Sequence, residues 1–229
     1  MNNIKIYVIN LKRRTDRLEK FYKNFEDFSF DKEKIEVVYG FDAKNAENES
    51  YIEKTIFNNL PNNLTKGEKG VFISNIRIYK DIIDKNITFA IIMEDDAYFC
   101  KDFKTKLDKV INEMPLNTEI LYFGGRFYAD FRMQEGTFIQ ISDNIVQHDY
   151  SAGWNAINHD RCNYGYIISN SFAKCLVQAF EKNINVNYAV DDFIVRTCRN
   201  HNTLIYNSCP LLVHGDAYSI ESDIRQSNY

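Results

Sequence analysis

Short glycine-rich signatures are missing from these 229 residues. With no Gly-x-Gly-x-x-Gly and no Gly-Lys-Ser/Thr loop, neither a dinucleotide fingerprint nor a P-loop is present. No Gly-x-Ser-x-Gly elbow occurs either, which removes the nucleophile turn of the α/β-hydrolases. The four histidines, His148, His159, His201 and His214, lack zinc spacing. The five cysteines, Cys100, Cys162, Cys175, Cys198 and Cys209, are odd in number, widely spaced and form no Cys-x-x-Cys pair. A secreted disulfide framework is therefore not expected, and buried free thiols are. An excess of one charge is also missing: the formal net charge is −4 with a sequence pI of 5.6. Such a chain offers no basic face to nucleic acid or anionic lipid. Apolar runs long enough to span a bilayer are absent, and the first ten residues do not read as a signal peptide, so a soluble, cytoplasmic protein is expected. Only three prolines interrupt a sequence rich in Asn, Lys and Ile, a bias that carries no functional meaning.

What is present is ordinary globular material, 45% hydrophobic and 26% charged, enough for one substantial core. One domain over residues 1–229 is expected, with no repeat and no linker. Residues 4–9 alternate and are β-branched, which predicts a strand. A helix follows with Leu18, Phe21, Tyr22 and Phe25 on one face, and Asp16 with Glu19 has capping-box spacing at its start. Residues 35–39 predict a second strand closed by Gly40-Phe41-Asp42, and residues 43–63 a short helix with a surface excursion. Thr65 and Glu68 form a second capping box, opening a helix with Val71, Ile78, Tyr79, Ile82 and Ile83 on its apolar stripe. Asn75 falls on that stripe, where a polar residue must find a backbone partner or face a cleft. Further strands are expected at 89–93, 119–123, 166–168, 204–206 and 211–213, and helices at 103–114, 171–181 and from Asp191 to Cys198. Residues 129–157 read as an irregular β-rich insertion. Strands alternating with helices predict an α/β fold with a mostly parallel central sheet and helices on both faces.

The most informative point is the junction where Phe89-Ala90-Ile91-Ile92-Met93 runs into Glu94-Asp95-Asp96. A buried strand ending abruptly in carboxylates sets them at the rim of a sheet, where α/β folds keep their ligands. Hard carboxylate oxygens there suit Mg²⁺ or Mn²⁺, and such a cation commonly escorts a phosphate. A solvated acidic turn is the plainer alternative. Arg13, Arg14 and Arg17 follow the first strand, well suited to grip a diphosphate, although Arg17 is equally able to pair with Asp16 or Glu19 on a solvated face. Asp191 and Asp192 open a later helix, and one cap cannot explain both. A metal, a diphosphate and a spare carboxylate together outline transfer from a nucleotide-activated donor.

The order of these segments resembles glycosyltransferase family 25, which includes bacterial lipo-oligosaccharide and collagen galactosyltransferases. The resemblance rests on Val8-Ile9-Asn10-Leu11 with Arg14-Thr15-Asp16-Arg17, on residues 64–70 with Ser74, and on Ile91-Ile92-Met93-Glu94-Asp95-Asp96. It continues through Leu121-Tyr122-Phe123-Gly124-Gly125, residues 164–169, Val190-Asp191-Asp192-Phe193 and Ser222-Asp223-Ile224, all in the family's order.

The resemblance implies a GT-A fold and a metal-dependent, inverting transfer of galactose or glucose from a UDP-sugar. The acceptor would be a hydroxyl of a glycan or protein, as in lipopolysaccharide biosynthesis. By position, Ile9, Asn10 and Leu11 would line the uracil pocket, with Arg14 and Arg17 near the donor. Glu94 would face the ribose and Asp96 the Mn²⁺ or Mg²⁺, with Asp95 as the alternative ligand. Asp191 would be the catalytic base, with Asp192 as its rival. Two positions depart from the family: Asn75 stands where it has His, altering donor contacts, and His214 stands where Gln is expected. By analogy with other GT-A enzymes, which complete the metal site with a late histidine, His214 is a candidate ligand. Tyr128, Trp154, Tyr164 and Tyr218 are aromatics able to stack on a sugar. Two competing functions share these residues: a UDP-sugar-binding module without catalysis, and a metal-dependent pyrophosphate hydrolase.

Overall fold

A computed structural model of the chain describes residues 4–26, 35–125, 138–148 and 163–215, and the elements below are those of the described residues. The first strand, β1 (Ile4–Asn10), leads into helix α1 (Thr15–Glu26) and parallel strand β2 (Ile35–Tyr39). A 3₁₀ turn (Ala43–Asn48) and helix α2 (Tyr51–Asn59) make up the excursion expected after β2. Helix α3 (Lys66–Asp84) opens on the expected capping box: Thr65 Oγ1 accepts from Glu68 N–H at 3.2 Å, and Thr65 N–H donates to the Glu68 carboxylate at 2.7 Å. Strand β3 (Phe89–Glu94) follows, then β4 (Ala97–Phe99), α4 (Phe103–Glu113), β5 (Ile120–Tyr122) and β6 (Gly124–Gly125). The hairpin β7 (Phe138–Ser142) and β8 (Ile145–His148) falls within the expected β-rich insertion. The chain continues as β9 (Gly165–Ser169), α5 (Asn170–Glu181), α6 (Val190–Asn200), β10 (Ile205–Ser208) and β11 (Val213–Gly215).

The main sheet has eight strands in the order β2-β1-β3-β9-β5-β10-β8-β7, and β4-β11-β6 form a small second sheet. The architecture is α/β, but the mostly parallel sheet expected from the sequence is corrected to a mixed one. Strand β9 runs antiparallel to both β3 and β5, and β8 is antiparallel to β10 and β7. Strand alternation reports which face a residue occupies and says nothing of direction. Along β1 and β3 that alternation splits the core. Tyr7, Ala90 and Ile92 pack with α3, α5 and α6, whereas Ile6, Val8, Ile91 and Met93 pack with Phe21 of α1 and with Phe103, Leu107 and Val110 of α4. Each helix lies over one face because its apolar stripe has nowhere else to go.

Two expected caps are also corrected. Helix α1 begins at Thr15, so Asp16 lies inside the first turn and its carboxylate takes the Arg14 guanidinium instead. Helix α6 is entered through Ala189 with no side-chain cap, leaving Asp191 and Asp192 in its first turn.

At the far edge of the sheet, Glu113 at the end of α4 pins the β7–β8 hairpin. Its carboxylate accepts from Ser142 Oγ at 2.6 Å, from Asn144 Nδ2 at 2.6 Å and from Asn144 N–H at 3.2 Å. The Ser142 hydroxyl, then the Asn144 amides, hold the carboxyl below its ordinary range. A carboxylate depressed in the folded state adds stability above its unfolded pKa and loses it as pH falls through the folded value. Glu113→Gln is therefore expected to melt below wild type at neutral pH and to converge with it as acidification protonates the folded carboxyl, as read by thermal denaturation across pH. A gap that stays constant across that range would contradict the assignment.

Candidate active site

Strands β1 and β3 run side by side with Ile9 opposite Glu94, so their carboxyl ends open at the same edge of the sheet. Ligand crevices of open α/β sheets form at such an edge. Here it holds a cleft lined on its sheet side by Ile9, Leu11 and residues 94–96. Arg17 closes one side, while residues 40–44 and the first two turns of α3 make the opposite wall.

Asn10 is the knot of the site and is only 2% exposed. Its Nδ2 donates to Asp95 Oδ2 at 2.6 Å and to the Arg14 carbonyl at 2.9 Å. The Asp95 N–H in turn donates to the Ile9 carbonyl at 3.2 Å. One amide thus ties the end of β1, the start of α1 and the turn after β3 together. Arg17 faces the same turn, its Nη1 3.4 Å from Asp95 Oδ1 and 3.5 Å from Asp96 Oδ2. Arg17 thus faces inward to the acidic turn, a partner not among those expected for it from the sequence. The distances are those of charge proximity rather than of a tight fork.

Among the described residues, this turn gathers more carboxylate than the Arg17 guanidinium balances. Burial, then the charges of Asp96, Asp191 and Asp95, push the Glu94 carboxyl well above its ordinary range, against the opposing pull of Arg17. Burial followed by the Asp96 charge raises Asp95 to about 6, opposed by Arg17 and by the Asn10 hydrogen bond. A site with this imbalance favours additional positive charge. The charge of Asp191, in the first turn of α6, contributes to the rise at Glu94. Asp192 is its neighbour in the same helical turn, about 100° round the axis, so the two cannot present to one point.

The remaining candidates are more dispersed. Arg14 forks onto Asp16 at 2.8 and 2.9 Å on the outer surface, and its side chain is not among those lining the cleft. Asn75 is completely buried, bonded to Tyr166 and Val71, and also lies outside the lining. His214 sits on β11 in register with Tyr98 of β4, their rings 5.4 Å apart. Among the described residues no group of three or more His, Cys, Asp or Glu side chains is gathered to hold a metal ion unaided. Tyr128, Trp154, Tyr218 and the Ser222-Asp223-Ile224 block lie outside the described residues.

The sequence names Arg13 as a diphosphate candidate and Ser74 within the family resemblance, but not the contacts that each makes in the wall. Arg13 donates through Nε to Asp42 Oδ2 at 2.7 Å, and Asp42 also accepts from Asn45 Nδ2 and Lys44 N–H. Ser74 Oγ accepts from Phe41 N–H at 2.9 Å and donates to the Gly70 carbonyl at 2.7 Å, fastening α3 to the loop after β2. The usable signal was Gly40-Phe41-Asp42, a strand closed by a tight, polar turn.

The chain matches the family model described as glycosyltransferase family 25 (LPS biosynthesis protein) over residues 3–194. The chain belongs to glycosyltransferase family 25. The match spans β1, the acidic turn and Asp191 together. Among curated relatives of the family, human procollagen galactosyltransferase 2 is 29% identical over 226 residues, covering 93% of this chain and 32% of its own. A glycosyltransferase 25 family member of Drosophila melanogaster is 26% identical over 242 residues, covering 95% and 36%. This chain therefore spans about a third of the length of those relatives. A solved glycosyltransferase involved in glycosylation of the major capsid of PBCV-1 overlays at a TM-score of 0.44 with 10% identity, covering 99% and 97%, a likeness too slight to bear on the chemistry.

The close approach of α3 to the cleft wall gives a direct test. A β-carbon on Gly70 would meet the Phe41 carbonyl oxygen at 2.8 Å, and backbone cannot swing aside as a side chain can. Gly70→Ala should cost about 1–3 kcal/mol by overpacking, measured by denaturant unfolding. An unchanged midpoint would mean that the wall is not fixed as described.

Proposed function

We propose that this family 25 chain is a GT-A-type hexosyltransferase, moving galactose or glucose from a UDP-sugar to a hydroxyl of a glycan or protein with inversion. The observation that carries this reading is the buried carboxylate edge where β1 and β3 open together, facing Arg17, with the charge of Asp191 bearing on Glu94.

The donor set fits Mn²⁺ or Mg²⁺: it is hard oxygen, and burial followed by neighbouring carboxylates raises the proton affinity of Glu94 and Asp95. That no three-ligand protein cage is gathered among the described residues agrees with a cation that arrives on a diphosphate, since Mg²⁺ sites use one or two carboxylates plus substrate phosphates. Asp96 is the first candidate to hold it, with Asp95 and His214 as further candidates. When bound, the cation would offset the charge that develops on the departing diphosphate.

The chain's own residues divide the remaining work. Ile9 and Leu11, on the apolar side of the cleft, suit the face of a nucleobase, and Glu94 suits the ribose hydroxyls. Arg17 adds positive charge beside the diphosphate, and Asn10 keeps Asp95 and the turn in place. Asp191, as carboxylate, accepts the proton of the acceptor hydroxyl while that oxygen forms its bond to the anomeric carbon. The bond from that carbon to the β-phosphate oxygen breaks on the opposite face, and UDP leaves with the electron pair.

Release of UDP from UDP-galactose and UDP-glucose, assayed with Mn²⁺ and with chelator over a panel of glycan and hydroxylated-peptide acceptors, tests this reading. Asp96→Ala should abolish metal-dependent release, and Asp191→Asn should lower kcat by about 10²–10⁴ while leaving UDP binding intact. Wild-type turnover in Asp96→Ala would overturn the metal assignment. Binding without product over the whole panel would favour a donor-binding module, and release of UMP would favour pyrophosphate hydrolysis.

A further inference from the structure

Beneath the acidic edge lies a buried polar cluster that the reaction just described does not use. Asn75 of α3 is 0% exposed. Its Nδ2 donates to the Val71 carbonyl one turn back at 3.0 Å, fixing the plane of the amide. Its Oδ1 accepts from the Tyr166 hydroxyl at 2.8 Å, with the Tyr79 hydroxyl 3.5 Å from the same atom. The two phenol oxygens are 2.8 Å apart.

Each phenol has one proton to give. With the Tyr166 proton spent on Asn75, the short contact between the phenols must be donated by Tyr79. The hydrogen bonds therefore run one way, from Tyr79 to Tyr166 to Asn75 to the Val71 carbonyl. Chains of this kind polarise their members and hold one arrangement, and a buried polar group left unpaired would be costly.

The position of the chain matters as much as its satisfaction. Tyr166 on β9 is in register with Ile92 of β3, and Glu94 projects from the same face two residues further on. Helix α6 packs on α3 through Phe193 against Phe72, ring centroids 4.8 Å apart. Phe72 and Asn75, three residues apart, are surface neighbours on α3. Asp191 lies in the same first turn of α6 as Phe193, and its charge bears on both phenols as well as on Glu94. The three hydroxyl and amide groups thus sit where α3, β9 and the start of α6 converge.

We propose that Asn75, Tyr79 and Tyr166 are positioning residues that fix the first turn of α6, and with it Asp191, relative to the acidic end of β3. They touch neither donor nor acceptor. The inference rests on Asp191 being the proton acceptor of the proposed transfer, and it gives Asn75 an interior role in place of a donor contact. A base displaced by a fraction of an ångström loses rate without losing affinity for the nucleotide, because none of Asn75, Tyr79 and Tyr166 lines the nucleotide cleft, although Val71 does.

Steady-state kinetics and melting temperatures of Tyr166→Phe and Tyr79→Phe, beside wild type, test this. Tyr166→Phe should lower kcat on the order of tenfold, with KM for the UDP-sugar within about twofold. Tyr79→Phe, which leaves the bond from Tyr166 to Asn75 intact, should lower kcat by less. A merely structural cluster would lower the melting temperature and leave kcat unchanged, and that result overturns the inference. If Tyr166→Phe does not fold, unchanged kcat in Tyr79→Phe overturns it equally. Wild-type protein without any transfer would sink the functional reading and this inference together, whereas retained kcat in both variants of an active enzyme sinks this inference alone.

Discussion

One amide hydrogen bond organises the site: Asn10 Nδ2 to Asp95 Oδ2 at 2.6 Å. Two parallel strands can end level with each other and still leave their turns to wander, because ladder hydrogen bonds stop where the strands do. The Asn10 side chain extends the connection beyond the ladder, from the last residue of β1 to the turn after β3. Its second hydrogen bond, to the Arg14 carbonyl, fixes the approach to α1 and so aims Arg17 at the same turn. Replacing that amide with an apolar residue would leave Asp95 buried among like charges with less to hold it. The geometry of the acidic turn and the charge balance of the cleft therefore depend on a single side chain.

The second organising fact is electrostatic. The charges of Asp95, Asp96 and Asp191 bear on Glu94 and that of Asp96 on Asp95, and among the described residues Arg17 is the cation that opposes them. Such an arrangement is costly to fold, and a bound ligand of positive charge would relieve it. A divalent cation bound through a diphosphate would relieve it and at the same time supply the leaving-group chemistry of a glycosyl transfer. The wall opposite the acids is built with similar economy: Ser74 and Gly70 let α3 approach the loop after β2 closely, and Asp42 gathers Arg13, Lys44 and Asn45 around that loop.

Much of this was legible in the sequence, for identifiable reasons. Apolar run followed by acids is a local signal, so residues 89–96 announced both the strand and the acidic turn that lines the cleft. The Thr65–Glu68 box is local too, and it fixed the start of α3. Direction was not local. Strand β9 reads like one more member of a strand–helix alternation, yet it lies antiparallel between β3 and β5, because pairing direction is set by where the chain enters the sheet. Arg14 and Arg17 looked equivalent until the helix start at Thr15 turned one toward Asp16 outside and the other toward the acidic turn. Periodicity showed that Asn75 faces inward, but which side chains meet it there is decided by β9, far away in sequence.

The central claim is that the acidic edge holds a cation together with a sugar nucleotide's diphosphate. Calorimetric titration of UDP into metal-free protein, and again in the presence of Mn²⁺, addresses it without any acceptor. Cation-bridged binding predicts weak or undetectable UDP binding alone and an affinity gain of at least about tenfold with Mn²⁺, equivalent to roughly 1.4 kcal/mol. Equal affinity with and without the cation would contradict it.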